Sequence, residues 1–201
     1  RRRYWNAIVS SELARIQTPD INSLPTRSQE LLGEVKKKLG SVPNLFALLG
    51  NSPQALSSYL NLGENLGTGS LGPALQERIA LSVAEFNGCE YCLAAHSLIG
   101  EKIAGLTNGE IIAARQGRSA DSRSQAVLSF VQEVLKTRGH VTDESLEAIR
   151  RAGISDGEVA EIAANIAHNV LTNYLNNVAR TGLDFPRVPA LAEVGIQSSK
   201  P

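Results

Sequence analysis

The chain has 201 residues, of which 42% are hydrophobic, and its 20 basic and 20 acidic side chains give a formal net charge of zero. This size and apolar content allow one sizeable core, which excludes a disordered protein, and the balanced charge argues against nucleic-acid binding. No apolar run has the length of a membrane span or a signal-peptide core, so we expect a cytoplasmic protein without a membrane partner. The sequence contains no methionine, even at position 1, so little weight rests on its N-terminus.

In chain order, the pattern predicts an N-terminal arm, a helical domain and a C-terminal arm. Prolines in a turn-rich stretch set off residues 1–25 as the first arm, and two prolines and a polar end mark residues 184–201 as the second. Between them, at 26–183, helices are expected wherever a capping residue or a proline precedes an apolar pattern of helical spacing. The expected helices cover residues 26–39, 44–49, 53 to about 62, 73–86, 107–116, 121–137, 142–153 and 155–182, with another beginning near Cys89. No segment alternates with period two, so we predict an all-α fold with roughly eight helices.

Two features in the middle of the chain fix the position of the cysteines relative to the helices. The helix that begins at Pro73 is apolar on nearly all sides from Ile79 to Phe86, which predicts that it is buried. Asn87-Gly88 is typical of a helix end and predicts a break directly before Cys89. The second cysteine is therefore expected within the first turns of a new helix.

Cys89, Cys92 and His96 form the most informative cluster, because the chain has no other cysteine. On a helix, at about 100° per residue, these three side chains would share one face. Cα atoms three residues apart lie roughly 5 Å from each other, within the range of about 4.4 to 6.8 Å that a disulfide tolerates. The spacing is compatible with a thiol–disulfide couple beside a base.

Two other interpretations of this cluster stay open at this point. The cysteines could be two small buried apolar residues, since free cysteine is among the most buried residue types. Alternatively, they could bind zinc together with His96 and either Glu77 or His168, although structural zinc usually takes a second well-spaced pair, which the sequence lacks.

If the cluster is a redox site, Cys92 is expected to be the nucleophile. A thiolate is the reactive form, and the helix N-terminus together with His96 one turn further on could favour it. Attack on a hydroperoxide would leave a sulfenic acid on Cys92, which Cys89 could condense with to form a disulfide. An external dithiol would then have to reduce the pair.

Glu77, Cys89, Tyr91, Cys92 and His96 match residue by residue the E-x11-C-x-Y-C-x3-H pattern of the alkylhydroperoxidase D family. This family belongs to the carboxymuconolactone decarboxylase superfamily, and the segment over 42–116 resembles its helical domain. The stretches 38–44 and 172–176 are also similar to the subgroup of peroxidase-related enzymes.

The resemblance implies an alkylhydroperoxidase D-like helical bundle with thiol peroxidase activity in antioxidant defence. It implies that Cys92 is the peroxidatic cysteine, that Cys89 is the resolving one, and that His96 and Glu77 relay the proton. Tyr91 belongs to the same set of catalytic residues, although its role is less defined. It further implies a homo-oligomer, either a trimer or a hexamer, a lipoyl-bearing reductant protein, no required metal or cofactor, and no decarboxylase activity.

Outside the motif, an asparagine stripe recurs along the last helix. Because asparagine is a poor helix former, we expect tertiary hydrogen bonds to hold it, preferably at a subunit interface and otherwise around the pocket. The stripe consists of Asn165, Asn169, Asn173, Asn176 and Asn177. His140 is expected in solvent. A second function, a non-catalytic redox sensor or scaffold whose disulfide controls assembly or partner binding, stays open beside the peroxidase.

Overall fold

A computed structural model describes residues 14–194, and within this range the chain forms nine α-helices and no strand. The all-α prediction is confirmed. The helices are α1 (Thr26–Leu39), α2 (Asn44–Leu49), α3 (Pro53–Gly67), α4 (Pro73–Phe86), α5 (Glu90–Lys102), α6 (Asn108–Arg115), α7 (Ser122–Thr137), α8 (Asp143–Arg151) and α9 (Asp156–Ala179).

Helix starts agree with the capping residues read from the sequence, whereas two helix ends do not. Ser52 caps α3, and Thr107 and Ser155 form full capping boxes at α6 and α9. However, α3 continues to Gly67 instead of ending near residue 62, because Leu66 is buried and extends the packed face. α9 ends at Ala179, before Gly182, since the next residue adopts a left-handed conformation.

The central helix is α4, which packs against α5, α6, α7 and α9. Residues 79–84 are all buried, as its all-round apolar character predicts. The prediction is wrong for Phe86, which is 43% exposed at the end of the helix. Because α4 is enclosed, the residues that leave its C-terminus start from a fixed position.

Two large apolar clusters divide the interior. One joins α4 with α7, α8 and α9 and includes Ile79, Val131 and Ile162. The other contains both cysteines and packs them against α1, α2 and α3. The cysteine pair therefore lies in a packed apolar environment and not on a loose surface loop.

The described parts of both predicted arms pack against the helices. The backbone N–H groups of Arg15 and Ile16 donate to the Ala179 carbonyl at the end of α9. The Asn44 backbone N–H donates to Asp184 Oδ2 at 2.7 Å, so the start of the C-terminal arm is attached to the start of α2. The first half of the predicted N-terminal arm, residues 1–13, lies outside the described residues.

Within residues 14–194, no helix combines the length and apolar character that crossing a bilayer would require.

Candidate active site

The site begins at the break between α4 and α5. Gly88 follows the C-cap residue Asn87 with φ +62°, a left-handed conformation that glycine adopts without a Cβ penalty. The Cys89 N–H donates to the Ala84 carbonyl at 3.0 Å, which closes the end of α4. The predicted break is confirmed, and it places Cys89 directly against the buried end of α4.

Cys89 is the N-cap of α5 and does not belong to the helix itself. Its backbone is extended (φ −89°, ψ 94°), and its Sγ accepts a hydrogen bond from the Cys92 N–H at 3.2 Å. The assumption that residues 89–96 are all helical is therefore wrong at its first residue. The two sulfurs are nevertheless bonded in a Cys89–Cys92 disulfide with a Cα–Cα distance of 5.3 Å.

This geometry determines which of the two sulfurs the helix N-terminus can stabilise. The backbone N–H at the helix N-terminus points at Cys89, not at Cys92. The sequence suggested that the helix terminus would favour Cys92 as the nucleophile. In the structure the helix terminus by itself does not select it. Both sulfurs are enclosed, since Cys89 is 0% and Cys92 2% exposed.

Cys92 has a different donor, the side chain of Asn176 on α9. Asn176 Nδ2 donates to Cys92 Sγ at 3.3 Å across 84 residues of sequence. Each sulfur thus accepts one hydrogen bond, from the backbone at Cys89 and from a side chain at Cys92. The second contact was not identified from the sequence, where only the recurrence of asparagine gave a signal.

Glu77 and His96, to which the motif assigns a proton relay, lie in contact. His96 Nδ1 lies 2.9 Å from Glu77 Oε2, and the two side chains are 20% and 16% exposed. Burial alone would lower the pKa of His96, but the Glu77 carboxylate outweighs it, so the pKa of His96 is raised above its ordinary value. In the neutral ring the Nδ1–H donates to Glu77, which leaves the lone pair on Nε2.

A stacked pair of rings lies near Glu77 and His96. Tyr59 on α3 stacks on His168 of α9 with ring centroids 4.2 Å apart. Burial, with a further contribution from the Glu77 carboxylate, raises the pKa of Tyr59 to about 12. Burial lowers the pKa of His168, and the charge of His96 lowers it further. Tyr59 is therefore a site neighbour that the sequence did not single out.

Tyr91 is used for packing between elements. Its hydroxyl accepts a hydrogen bond from the Leu45 N–H at 3.2 Å, and its ring meets Phe185 edge to face at 5.5 Å. Burial raises the pKa of Tyr91 far above its ordinary value. These contacts hold α2 and the segment after α9 against α5, which favours a structural role. The catalytic role implied by the motif stays a prediction.

The asparagine stripe lies inside the chain. Asn165, Asn169, Asn173 and Asn176 are all buried in the single molecule, so the preference for a subunit interface is wrong at these positions. Asn87 makes two hydrogen bonds with the stripe: its Nδ2 donates to Asn173 Oδ1, and its carbonyl accepts from Asn177 Nδ2, both at 2.9 Å. The last turns of α9 therefore hold the α4–α5 break.

The zinc interpretation depends on a cluster of ligands, and the described range of the chain contains no group of three His, Cys, Asp or Glu side chains that could hold a metal ion. Cys89 and Cys92 are bonded to each other, and His96 is paired with Glu77. His168 instead lies 3.3 Å from the Tyr59 carbonyl through Nε2. His140 is exposed, as predicted.

Comparison with protein families identifies the helices that carry this site. Residues 53–136, which contain α3 to α6 and nearly all of α7, match the model of the carboxymuconolactone decarboxylase family. A crystal structure described as the alkylhydroperoxidase AhpD core, an uncharacterized peroxidase-related protein from Ralstonia eutropha JMP134, is similar with a TM-score of 0.76. It is 25% identical over 86% of this chain and 93% of its own. Residues 53–136 of the chain therefore carry a region of the carboxymuconolactone decarboxylase family.

Two further solved structures share the fold. An uncharacterized peroxidase-related protein from Silicibacter sp. TM1040 is similar with a TM-score of 0.74 and 22% identity, over 85% of this chain and 91% of its own. The debrominase Bmp8 is similar with a TM-score of 0.66 and 20% identity, over 79% of this chain and 87% of its own. At these identities the likeness shows the fold alone. No curated protein sequence matches.

Proposed function

We propose that this protein is a thiol-dependent peroxidase that reduces hydrogen peroxide or alkyl hydroperoxides. The observation that carries the proposal is a Cys89–Cys92 disulfide beside a Glu77–His96 pair, in which the histidine keeps one ring nitrogen for proton transfer. The alkylhydroperoxidase D motif and the likeness to peroxidase-related proteins support the same chemistry.

The first step oxidises Cys92. Its proton passes to His96 Nε2, directly or through one water, and the resulting thiolate attacks the outer oxygen of the hydroperoxide. A sulfur–oxygen bond forms while the oxygen–oxygen bond breaks, and the leaving alkoxide takes the proton back from His96. The products are an alcohol, or water from hydrogen peroxide, and a Cys92 sulfenic acid. Glu77 holds the His96 ring and stabilises its charged form throughout this step.

The second step forms the disulfide, and the third reduces it. The Cys89 thiol condenses with the Cys92 sulfenic acid and releases water, which protects Cys92 from further oxidation. An external dithiol then donates two electrons and two protons to restore both thiols and becomes a disulfide itself. We propose a protein reductant of the lipoyl type for this step. Because both sulfurs are buried, the reductant must reach them through a local opening of the site.

The test compares two single-cysteine variants with the wild type. In a coupled assay with hydrogen peroxide or an alkyl hydroperoxide and a lipoyl-type dithiol, Cys92→Ser is expected to lose turnover down to the uncatalysed background. Cys89→Ser is expected to form one equivalent of trappable sulfenic acid and then stop or slow, because the resolving thiol is missing. Equal turnover by the wild type and Cys92→Ser would refute the proposal.

A substrate control separates this function from that of another protein with the same fold. A structural relative, a debrominase variant with one cysteine replaced by alanine, was crystallised with 2,3,4-tribromopyrrole. Brominated pyrrole therefore belongs in the assay beside the hydroperoxides. We expect hydroperoxide consumption and no bromide release, and bromide release without hydroperoxide consumption would contradict the proposed substrate class.

A further inference from the structure

Asn176 is the donor that distinguishes the environment of Cys92 from that of Cys89. It reaches from α9 to the first turn of α5, and its Nδ2 lies 3.3 Å from Cys92 Sγ. A thiolate is a much better acceptor than a bonded sulfur, and hydrogen bonds to charged groups are stronger than those to neutral ones. This contact therefore gains most in the state in which Cys92 is reduced and ionised.

The other end of the same amide is unused. Within residues 14–194, Asn176 Oδ1 is buried and finds no hydrogen-bond partner. A buried acceptor without a partner is costly, and native proteins rarely keep one without a reason. A molecule with an O–H group at the sulfur would satisfy it. The hydroperoxide has such a group, and so does the sulfenic acid that it leaves on Cys92.

We propose that Asn176 is a catalytic residue that stabilises the Cys92 thiolate through Nδ2 and binds the O–H group of the hydroperoxide, or of the Cys92 sulfenic acid, through Oδ1. The second half of this proposal rests on the proposed peroxidase function. The first half concerns the reduced protein alone and does not require any substrate.

The surrounding residues hold the amide in place. Asn173 and Asn177, on the same turns of α9, bond to Asn87 at the start of the helix break. Cys92 is thus presented by α5 and Asn176 by α9, while both helices are tied to the same break. Asparagine suits this role because its side chain carries one donor and one acceptor and does not titrate.

The titratable groups around Cys92 come from several elements. They are Cys89 and Tyr91 beside it, His96 on α5, Glu77 on α4, Tyr59 on α3 and His168 on α9. Replacing Asn176 by an apolar residue removes none of these titratable side chains. A shift in the ionisation of Cys92 after this replacement therefore reports the lost hydrogen bond.

The first experiment measures thiolate formation without peroxide. In reduced Cys89→Ser protein, the rate of Cys92 alkylation by iodoacetamide is followed against pH, with and without Asn176→Leu. We expect the midpoint to move up by about one pH unit, so that less thiolate is present below it. The rate there should fall roughly threefold to tenfold, because the higher nucleophilicity of a less acidic thiolate offsets part of the loss. An unchanged midpoint would overturn the donor role.

The matched control is Asn165→Leu, since Asn165 is a buried asparagine on the same helix whose amide bonds to the Glu161 carbonyl. It should leave the midpoint in place, and a shift as large as that of Asn176→Leu would overturn the specific role. If either leucine variant does not fold, the matched alanine pair Asn176→Ala and Asn165→Ala repeats the test, with circular dichroism as the check of folding.

The second experiment isolates the acceptor. At a pH above both midpoints, where Cys92 is fully ionised, the rate of sulfenic-acid formation from an alkyl hydroperoxide is compared between the same proteins. Loss of the donor alone would speed this step, because the thiolate of higher pKa is the stronger nucleophile. We expect it instead to slow by roughly fivefold, since the O–H group loses its acceptor. An equal or faster rate would overturn the acceptor role.

The two experiments can refute the donor role and the acceptor role independently of each other. If Asn176→Leu shifts the alkylation midpoint but the wild type forms no sulfenic acid with any hydroperoxide, the donor role is supported, while the peroxidase function and the acceptor role are both refuted.

Discussion

The two halves of the asparagine stripe on α9 use the same residue for different purposes. In the first half, Asn165 and Asn169 donate to carbonyls four residues earlier in their own helix, each at 2.9 Å. In the second half, Asn173 accepts from Asn87 and Asn176 donates to the Cys92 sulfur. These four asparagines are all buried, yet only the second half connects α9 to the α4–α5 break.

The difference shows that burial and residue type together do not reveal what a polar side chain does. A bond to the side chain's own helix is formed within one segment and needs no partner element. A bond to another helix ties two elements together, and its loss leaves a buried partner unsatisfied. The two halves should therefore respond differently to substitution, to pH and to reduction of the disulfide.

The largest expected difference is in stability. Asn173→Ala removes a fully buried side chain and leaves Asn87 without its acceptor, so we expect the free energy of unfolding to fall by about 2–3 kcal/mol. Asn165→Ala removes only a bond within the helix and gains helix propensity, so its effect should stay within about 1 kcal/mol. Urea unfolding of the oxidised proteins measures both values. Equal losses in the two variants would show that the halves are energetically equivalent.

A smaller effect is expected from a change of pH, which alters the charge of His96 in its pair with Glu77. Because Glu77 raises the pKa of His96 in the folded chain, the pair contributes stability that is fully present below the ordinary histidine pKa of about 6.5 and is lost as pH rises through the folded value. Glu77→Gln should therefore cost about 1–2 kcal/mol of unfolding free energy near pH 5.5 and clearly less near pH 9.

Thermal or urea unfolding of wild type and Glu77→Gln at the two pH values checks this sign. Asn165→Ala serves as the reference variant, because its intrahelical bond joins two neutral amides and its effect should be the same at both. A larger cost of Glu77→Gln at the alkaline pH would mean that the carboxylate does not act through charged His96.

The smallest expected effect is spectroscopic. Reduction of the disulfide changes the partner of Asn176 but not that of Asn165, so the side-chain amide resonances of Asn176 should move on reduction in a ¹⁵N-labelled sample while those of Asn165 stay in place. Resonances of both residues that move equally would indicate a rearrangement of the whole helix and would remove the distinction between the halves.

Local sequence determined much of the helical framework, because capping and helix termination depend on neighbouring residues. Thr107 and Ser155 form their capping boxes where the sequence predicts them, and Gly88 ends α4 before the cysteines. The resemblance to the family implied that Glu77 and His96 relay a proton, which stays a prediction. In the structure the two side chains lie 2.9 Å apart.

Other features were decided by elements far apart in the chain. α3 continues past its predicted end because Leu66 is buried, and the Ala179 carbonyl at the end of α9 accepts backbone hydrogen bonds from Arg15 and Ile16. The recurrence of asparagine was visible in the sequence, but the partners of its two halves were not.

The amino-acid sequence by itself determined the all-α class, the helix break and the candidate residues of the motif, since these follow from short-range physical chemistry and from the motif. Only the tertiary structure decided that the Asn176 amide donates to the Cys92 sulfur. The physical reason is that a hydrogen bond between groups 84 residues apart depends on how two helices pack, and the spacing of residues within either helix does not specify that packing.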